Sequence, residues 1–302
     1  MQFKSRTLTS LLFAGKPCPK FCDIAIMKLH TINAGYFKLD GGAMFGVVPK
    51  SIWNKLNPAD ENNMCSWALR CLLIEEGERK ILVDCGMGDK QDAKFFSHYY
   101  MHGEDSLMGS LAKAGFQAED ITDVILTHLH FDHCGGAIRK QGDQFVPAFP
   151  NATFWSNEQH WKWATEPNAR EKASFLKENI LPIQESGKLR MIEVSELTPF
   201  TNNISIRFAY GHTDAMMLPQ INYNGSTIVY MADLLPAAAH IPLPYVMAYD
   251  MFPLTTLKEK KAFLEEAVDN NYILMFEHDP AIAACRLTRT EKGIRMKETV
   301  NI

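Results

Sequence analysis

The sequence predicts an α/β fold from two observations. Short apolar runs rich in β-branched residues recur along the chain and end in polar clusters, which indicates buried strands that open to solvent at their carboxyl ends. Segments with helix-capping signals lie between these runs, for example residues 107–115, which end at Gly115. The 302 residues, 46% hydrophobic and 22% charged, suffice for one large α/β domain or two small ones.

Residues 1–27 are predicted to be an N-terminal extension without an assigned role. Lys4 and Arg6 precede a short apolar stretch in the manner of an export signal. That stretch is interrupted by polar residues and lacks a clear small-residue cleavage site, so we expect a cytoplasmic protein. No run approaches the roughly 20 apolar residues that a membrane span needs, so no membrane partner is expected.

Residues 28–48 predict two strands around the turn Asp40-Gly41-Gly42. Met44 and Phe45 follow this turn in a loop flanked by glycines. Two interpretations stay open: the segment is a hairpin that packs on the core, or its loop lines a pocket for an acyl chain. The second follows from the mostly apolar lining of small-molecule pockets.

Residues 68–75 and 80–84 predict a second hairpin across a four-residue turn. Its second strand ends in Asp84, beside a glycine turn. A carboxylate in that place can orient a metal-binding histidine through a hydrogen bond without touching the metal itself. The aromatic-rich segment 91–107 follows, and we predict either a helix buried in the core or at a dimer contact, or a cover over the substrate.

The stretch 120–136 carries the strongest chemical signal. The apolar run 124–126 predicts a buried strand, and His128, His130, Asp132 and His133 follow it within six positions. Imidazoles and carboxylates are the ligands that zinc, iron and manganese share. Alternation in an extended segment points His128 and His130 to one side, and the following turn can direct Asp132 and His133 to a second point about 3.5–4 Å away.

The second half of the chain repeats the pattern of a strand followed by polar residues. Strands are predicted at 204–210, 228–231 and 272–276, ending in Gly211-His212-Thr213, Ala232-Asp233 and Glu277-His278-Asp279. Thr256-x-x-Glu259 predicts a capping box that opens a helix. Residues 144–154 predict short strands and residues 157–177 a helix, whose His160 we interpret as structural because no second ligand lies one turn away.

Four motifs together resemble a known family. They are THLHFDH at 127–133, GHT at 211–213, AD at 232–233 and EHD at 277–279, and they resemble the metallo-β-lactamase superfamily. The segment DGGAMFGVVPKSIW at 40–53 is similar to the N-acyl-homoserine lactonase-like, quorum-quenching branch. The match runs from about Lys28 onwards, so the resemblance implies a single hydrolase domain over residues 28–302 with an αβ/βα four-layer sandwich.

The resemblance also implies a dinuclear zinc site, with other divalent metals as alternatives. His128, His130 and His212 would bind one metal, Asp132, His133 and His278 the other, and Asp233 both, with Asp84 in support. A metal-bridging hydroxide would open the lactone ring of N-acyl-homoserine lactones, and Asp132 would carry a proton to the leaving oxygen. Other lactones, esters or organophosphate triesters are the alternative substrates.

The sequence departs from the family at two places. Many lactonases carry a tyrosine three residues after the bridging aspartate, where this chain has Pro236. We predict that His240 donates to the substrate carbonyl instead, with a solvated loop histidine as the other interpretation. The chain also reads GHTDAMML from Gly211, without the second histidine of the common pattern, and this places the nearby pocket in question but not the ligands.

The composition limits the kinds of molecule that the protein is expected to bind. A net charge of −4 gives no electrostatic footprint for nucleic acid, so a small or neutral substrate is expected. The resemblance implies that this substrate is a small-molecule lactone, and family members suggest a homodimer. Seven cysteines without repeated spacing argue against a disulfide framework, Cys18-x-x-x-Cys22 lacks a second pair for zinc, and Cys134 is expected to be a buried thiol. A di-iron redox or sensor protein is the rival of another class.

Overall fold

The computed structural model describes residues 27–302, so the export-like leader and the Cys18-x-x-x-Cys22 pair lie outside the described residues. The strands are Lys28–Asp40 (β1), Met64–Glu76 (β2), Arg79–Val83 (β3), Asp123–Ile125 (β4), Ile138–Gln141 (β5), Gln144–Pro147 (β6), Thr153–Ser156 (β7), Leu189–Met191 (β8), Thr198–Pro199 (β9), Ile204–Ala209 (β10), Met216–Tyr223 (β11), Ser226–Tyr230 (β12), Ile273–Met275 (β13), Ala284–Thr290 (β14) and Gly293–Val300 (β15). The helices are Gly41–Phe45 (α1), Lys50–Trp53 (α2), Ala93–Ser97 (α3), Leu107–Lys113 (α4), Phe131–Cys134 (α5), Glu158–Thr165 (α6), Lys177–Glu185 (α7) and Pro253–Asp269 (α8).

Two sheets form the centre of the molecule. One has the strand order β1-β2-β3-β4-β7-β8, and the other has the order β15-β14-β13-β12-β11-β10-β9. In the first sheet β3, β4, β7 and β8 run parallel, whereas β1, β2 and β3 pair antiparallel. In the second sheet only β12 and β13 are parallel. β5 and β6 form a separate hairpin.

Alternation along the strands of the first sheet decides which residues face which layer. On β2, Leu72 and Ile74 join the cluster that the second sheet also fills, while Cys71 and Leu73 face the opposite side with Leu111 of α4. α6 and α7 complete that outer layer, and α8 covers the second sheet at β14 and β15. The order is helices, sheet, sheet, helix, which confirms the predicted four-layer αβ/βα architecture.

Two local predictions are wrong. Residues 28–48 contain one strand rather than two, because Asp40 ends β1 and its Oδ1 accepts a hydrogen bond from the Ala43 N–H at 2.8 Å, which caps α1. β1 therefore pairs with β2. Thr256-x-x-Glu259 does not open a helix, since α8 begins earlier with Pro253 in its first turn and Thr256 lies inside it.

Two predictions for local elements are confirmed. The hairpin across residues 76–79 is formed by β2 and β3, and Gly115 follows α4 with a φ of +91°, as a glycine beyond a helix end does. The segment 91–107 contains the short α3, and no residue of α3 is buried, so the helix predicted in the core is not formed there. No helix in residues 27–302 has the length and apolar character that a membrane crossing requires.

Candidate metal centre

The polar cluster of the central stretch begins where β4 ends. Residues 127–130 follow the strand without helical structure, and α5 then turns the chain so that Asp132 and His133 join a second group of ligand candidates, with the ring centroid of His133 3.9 Å from that of His128. The remaining ligand candidates follow strands of the second sheet: His212 follows β10, Asp233 lies in a 3₁₀ turn after β12, and His278 follows β13. The ligand candidates therefore come from both sheets, since β4 belongs to the first sheet and β10, β12 and β13 to the second.

The structure brings the seven predicted side chains into two adjoining groups, each with its ligand atoms within 4.8 Å of one another. In the first group, His130 Nδ1 lies 3.1 Å from His128 Nε2 and 3.2 Å from His212 Nε2. In the second, His133 Nε2 lies 3.1 Å from His278 Nε2, and Asp132 Oδ2 lies 3.9 Å from His133 Nε2.

Asp233 contacts both groups. Its Oδ2 lies 3.1 Å from His212 Nε2 and 3.6 Å from His133 Nε2, and its Oδ1 lies 3.2 Å from His278 Nε2. A carboxylate in this place can give one oxygen to each of two cations. Ala232, just before it, has a φ of +40°, a conformation that non-glycine residues rarely adopt and that commonly occurs at functional sites.

Every histidine of the site is held at its other ring nitrogen. His130 Nε2 donates to Glu171, His212 Nδ1 to Asp250 and His278 Nδ1 to the carbonyl of Ala68, at 2.9, 2.9 and 2.8 Å. His128 Nδ1 lies 3.1 Å from Thr127 Oγ1, and His133 Nδ1 lies 3.2 Å from Asp84 and 2.9 Å from Glu277. These partners leave the proton-free nitrogens facing the two group centres.

This arrangement fits divalent cations. In each group two imidazole nitrogens lie 3.1 Å apart, and a cation placed between them can accept a lone pair from each ring. Among the described side chains, the buried Asp233 Oδ1 also has no hydrogen-bond donor. The residues therefore form His/Asp groups that could hold metal ions.

The charges of the site support the same conclusion. Burial, together with the neighbouring imidazoles, lowers the pKa of His128 well below its usual range, so it is a neutral ligand. Burial alone would raise the pKa of Asp233, but His212 and His133 hold it well below its usual range. Asp233 in turn raises the pKa of His212 to about 10 against the effect of burial. Protons on the ligands and metal ions thus compete for one buried negative charge.

Asp84 lies where the sequence placed it, next to the ligands but behind them. Its Oδ1 accepts from the Thr127 N–H at 2.8 Å and its Oδ2 from the Thr127 hydroxyl at 2.6 Å. The same Oδ2 faces His133 Nδ1. One carboxylate thus fixes both the start of the ligand loop and the ring of a ligand.

The sequence analysis did not identify three carboxylates that lie beside the ligands, those of Glu171, Asp250 and Glu277. Glu277 precedes a predicted ligand, so its position was a signal that could have been used, and burial raises its pKa to about 8. Glu171 and Asp250 lie in irregular segments, and neither follows a strand. No local pattern marks them, because their contacts with His130 and His212 exist only after the chain has folded.

A cavity of about 400 Å³ opens over the ligands. Its lining is largely apolar and includes Met44, Met247 and Met251, with the phenol groups of Tyr99 and Tyr249. Met44 therefore lies where a substrate-binding residue was predicted. A cavity of about 510 Å³ elsewhere in the described chain contains none of the ligands.

Phe45 does not line this cavity. It is fully buried and stacks between Trp53 and His240, with ring centroids 5.3 and 4.7 Å apart. The prediction that Phe45 contacts an acyl chain is therefore not supported, because its ring faces are already covered by core side chains.

His240 also lies behind the cavity wall rather than on it. Its Nε2 donates to the carbonyl of Met44 at 2.9 Å, and burial lowers the pKa of the ring to about 3. The neutral ring then carries no proton on Nδ1, so it has no donor left for a substrate carbonyl. Neither interpretation from the sequence fits: His240 is not a solvated loop residue, and its proton is used by the backbone.

Two further side chains support the ligand loop from behind. The buried His160 accepts from the Leu129 N–H at 2.9 Å and donates to the carbonyl of Asp214 at 2.7 Å. The buried thiol of Cys134 lies 3.3 Å from the Leu129 carbonyl, and burial raises its pKa to about 12. Leu129 sits between His128 and His130, so both side chains fix the loop and neither binds metal.

Known proteins resemble this chain over much of its length. The family model of the metallo-β-lactamase superfamily matches residues 70–278. An N-acyl homoserine lactonase from Bacillus cereus is 28% identical over 169 residues, 53% of this chain and 58% of that protein. An N-acyl homoserine lactonase from Bacillus thuringiensis is 31% identical over 123 residues, 37% of this chain and 45% of that protein. The chain thus spans about half the length of these curated relatives.

Solved structures agree over a longer part of the chain. A probable metal-dependent hydrolase from Staphylococcus aureus has a TM-score of 0.82 and 29% identity, covering 92% of this chain and 99% of that one. AidC, a dizinc quorum-quenching lactonase, has a TM-score of 0.73 and 23% identity over 91% and 95% of the two chains. The hydrolase AbOPH has a TM-score of 0.74 and 20% identity over 92% and 96%. The predicted fold type is thereby confirmed.

Proposed function

Because the chain belongs to the metallo-β-lactamase superfamily, we propose that it is a dinuclear zinc hydrolase that opens the lactone ring of N-acyl-homoserine lactones. The observation that carries the proposal is the geometry of Asp233, whose two oxygens face two separate groups of ligands beneath a largely apolar cavity. The curated relatives are N-acyl homoserine lactonases, which supports the choice of a lactone.

In this proposal, His128, His130 and His212 would hold one ion, Asp132, His133 and His278 would hold the other, and Asp233 would contribute to both. Such ions would supply Lewis acidity and a water molecule that loses its proton near neutral pH. The protein fixes the ligands beforehand through the outer hydrogen bonds, so that little reorganisation accompanies binding.

Two side chains that line the cavity take part in the reaction, one by proton transfer and one by hydrogen bonding. Asp132 lies at the cavity wall, where its carboxylate accepts the proton of the attacking water and returns it to the ring oxygen when the carbon–oxygen bond breaks. Tyr99 lines the same cavity, and its ring packs on Phe131, the neighbour of Asp132, at 4.7 Å. Its phenol O–H takes the role that was first given to His240 and donates to the carbonyl oxygen as negative charge develops.

The decisive experiment uses purified protein loaded with zinc. Short- and long-chain N-acyl-homoserine lactones are incubated with it, and ring opening is followed by mass as the addition of one water. We expect rapid ring opening that chelation abolishes and zinc restores. Protein with two bound metals and no ring opening above the buffer background contradicts the proposal.

Other lactones, esters and organophosphate triesters form the second candidate class. The observation that favours them is Pro236, which stands in place of the usual tyrosine and offers no side-chain donor. The rank order of kcat/KM over a lactone, an aryl ester and a phosphotriester decides between the classes. A phosphotriester or ester hydrolysed faster than every lactone selects the second class.

A further inference from the structure

The segment that carries His212 leaves the second sheet just before this ligand. The pairing of β10 with β11 ends at Ala209, so the N–H groups of Tyr210 and Gly211 have no strand partner. Both donate instead to the carboxylate of Glu259. The Tyr210 N–H lies 2.9 and 3.1 Å from its two oxygens, and the Gly211 N–H lies 3.1 Å from one of them. One carboxylate thus replaces the sheet at the two positions before a ligand.

The carbonyls of the same segment are held from the same side. The Gly211 carbonyl accepts from the Phe252 N–H at 2.8 Å, and the His212 carbonyl accepts from the Met251 N–H at 3.0 Å. Both donors lie in the two residues before α8, and Glu259 lies in the second turn of that helix. The start of α8 therefore binds the donors and the acceptors of the backbone around His212.

Lys260, the next residue of α8, holds a different segment. It is 1% exposed, and its ammonium group donates to two backbone carbonyls of segment 242–245, at 2.9 and 2.8 Å. Successive residues of a helix point about 100° apart, so Glu259 and Lys260 reach two segments from one turn. Segment 242–245 leads to Asp250, whose carboxylate accepts from His212 Nδ1 at 2.9 Å. Lys260 thus anchors the chain that brings Asp250 to the ligand.

These contacts lead to one of the two metal groups. His212 belongs to the first group, with His128 and His130. In the second group, His278 is held by a carbonyl of β2, and His133 by carboxylates outside α8. Within residues 27–302, no hydrogen bond joins α8 to a ligand of the second group. A disturbance at Glu259 or Lys260 therefore reaches the first group directly.

We propose that Glu259 and Lys260 are positioning residues for the first metal group. Glu259 fixes the backbone at His212, and Lys260 fixes the segment that carries its partner Asp250. The inference rests on the two metal groups of the proposed function and does not depend on the substrate. Substitutions at these two positions, neither of which bonds a ligand side chain, should weaken the ion held by His212 and spare the other ion.

The first test measures zinc affinity in variants of Glu259. Glu259→Ala removes the acceptor, and Glu259→Gln keeps one oxygen for the two N–H groups. Glu265→Ala is the matched control, because this carboxylate of the same helix is exposed and contacts Arg289. Stepwise affinities are obtained by competition with a chromophoric chelator, and anomalous diffraction at one zinc per chain shows which ion remains.

Glu259→Ala is expected to weaken one zinc affinity about 10-fold or more, as the loss of support behind a ligand does, and to leave the other within about threefold. The ion that remains should lie between His133 and His278. Glu259→Gln should restore most of the lost affinity, and Glu265→Ala should match the wild type. Equal weakening of both ions, selective loss of the ion at His278, or no change overturns the proposal. So does lower unfolding free energy without selective zinc loss, because the contacts then serve the fold alone.

Lys260→Met tests the second contact independently. The variant keeps an apolar stem in the buried position and removes the three donors of the ammonium group. Lys261→Met, at the exposed neighbouring position, is its control. The same selective loss of zinc is expected in Lys260→Met alone. A variant that binds both ions like the wild type shows that Lys260 does not position Asp250.

Hydrogen exchange on the metal-stripped protein separates this inference from the proposed function. The amides of Met251 and Phe252 donate to the loop of His212 but do not touch Glu259. In Glu259→Ala their exchange should be at least about fivefold faster, the worth of one hydrogen bond, and in Glu265→Ala unchanged. Faster exchange supports the positioning role even if no lactone is hydrolysed. Unchanged exchange overturns it even if lactones are hydrolysed.

Discussion

At the scale of single residues, each histidine of the centre uses both ring nitrogens. One nitrogen faces a group centre, and the other contacts a hydroxyl, a carboxylate or a carbonyl that fixes the tautomer. His130 is oriented opposite to the others, since its Nε2 is taken by Glu171 and its Nδ1 points inward. The partner of each ring, rather than the ligand spacing, decides which nitrogen is available.

The variant Tyr99→Phe tests whether the Tyr99 hydroxyl donates a hydrogen bond to the substrate carbonyl oxygen. Removing one hydroxyl that stabilises developing charge is expected to lower kcat/KM about 10- to 100-fold while metal content stays unchanged. Tyr249→Phe is the matched control, because this second phenol of the cavity is 37% exposed and lacks the packing on Phe131. It is expected to change kcat/KM less than about threefold, within what an exposed hydrogen bond contributes. A larger effect at Tyr249 makes that residue the donor.

The buried His160 leads to a prediction of how the stability of the fold depends on pH. Burial lowers its pKa to about 4, below the ordinary value of 6.5, so between these values the unfolded chain binds more protons than the folded one. Its contribution to stability is therefore complete above pH 6.5 and is lost as the pH falls towards 4.

His160→Gln keeps an acceptor for the Leu129 N–H and removes the titration. On going from about pH 7 to about pH 5, the wild type should lose roughly 2 kcal/mol more unfolding free energy than this variant. Urea denaturation at the two pH values measures the difference, and the exposed His98→Gln serves as the control. Parallel losses in wild type and His160→Gln contradict the assignment.

At the scale of elements, the ligands depend on where strands end and helices begin. Gly211 lies between β10 and His212, and a Cβ atom there would clash with the Oγ1 and backbone N of Thr256. The early start of α8 at Pro253 causes this close approach. The glycine therefore allows α8 to pack against the loop that carries a ligand.

Gly211→Ala is expected to displace either α8 or His212. We expect a loss of about 1–3 kcal/mol in unfolding free energy, as overpacking typically causes, and fewer than two metals per chain by elemental analysis. In Gly109→Ala the new Cβ would meet only the end of the Ser106 side chain, which can move. That control should leave metal content unchanged, and a Gly211→Ala variant with full metal content and stability would show that the contact relaxes without cost.

At the scale of the whole molecule, the metal centre joins the two sheets. The segment that follows β4 of the first sheet supplies four ligands, and loops after three strands of the second sheet supply His212, Asp233 and His278. Without cations, the buried negative charge of Asp233 at this junction is balanced only by protons on the neighbouring histidines. Because metal ions would bind only the folded state, they should stabilise the packing of the two sheets against each other.

Removal of metal is therefore expected to destabilise the protein globally. Treatment with a chelator should lower the Tm by more than about 5 °C, and added zinc should restore it. Calorimetric scans of loaded, stripped and reloaded protein measure this. A stripped protein that melts at the temperature of the loaded one means that ligand packing alone stabilises the junction.

The sequence alone determined those features that local patterns encode. Short apolar runs and turn signals predicted the hairpin of β2 and β3 and the strands before the ligands, because such runs and their ends are properties of neighbouring residues. The spacing of His128, His130, Asp132 and His133 likewise predicted that the four side chains point to two separate centres. The tertiary structure decided what depends on distant contacts: Glu171 and Asp250 as partners of ligands, and the enclosure of His240 and Phe45. These contacts join segments far apart in the chain, so packing of both sheets creates them and no local pattern records them.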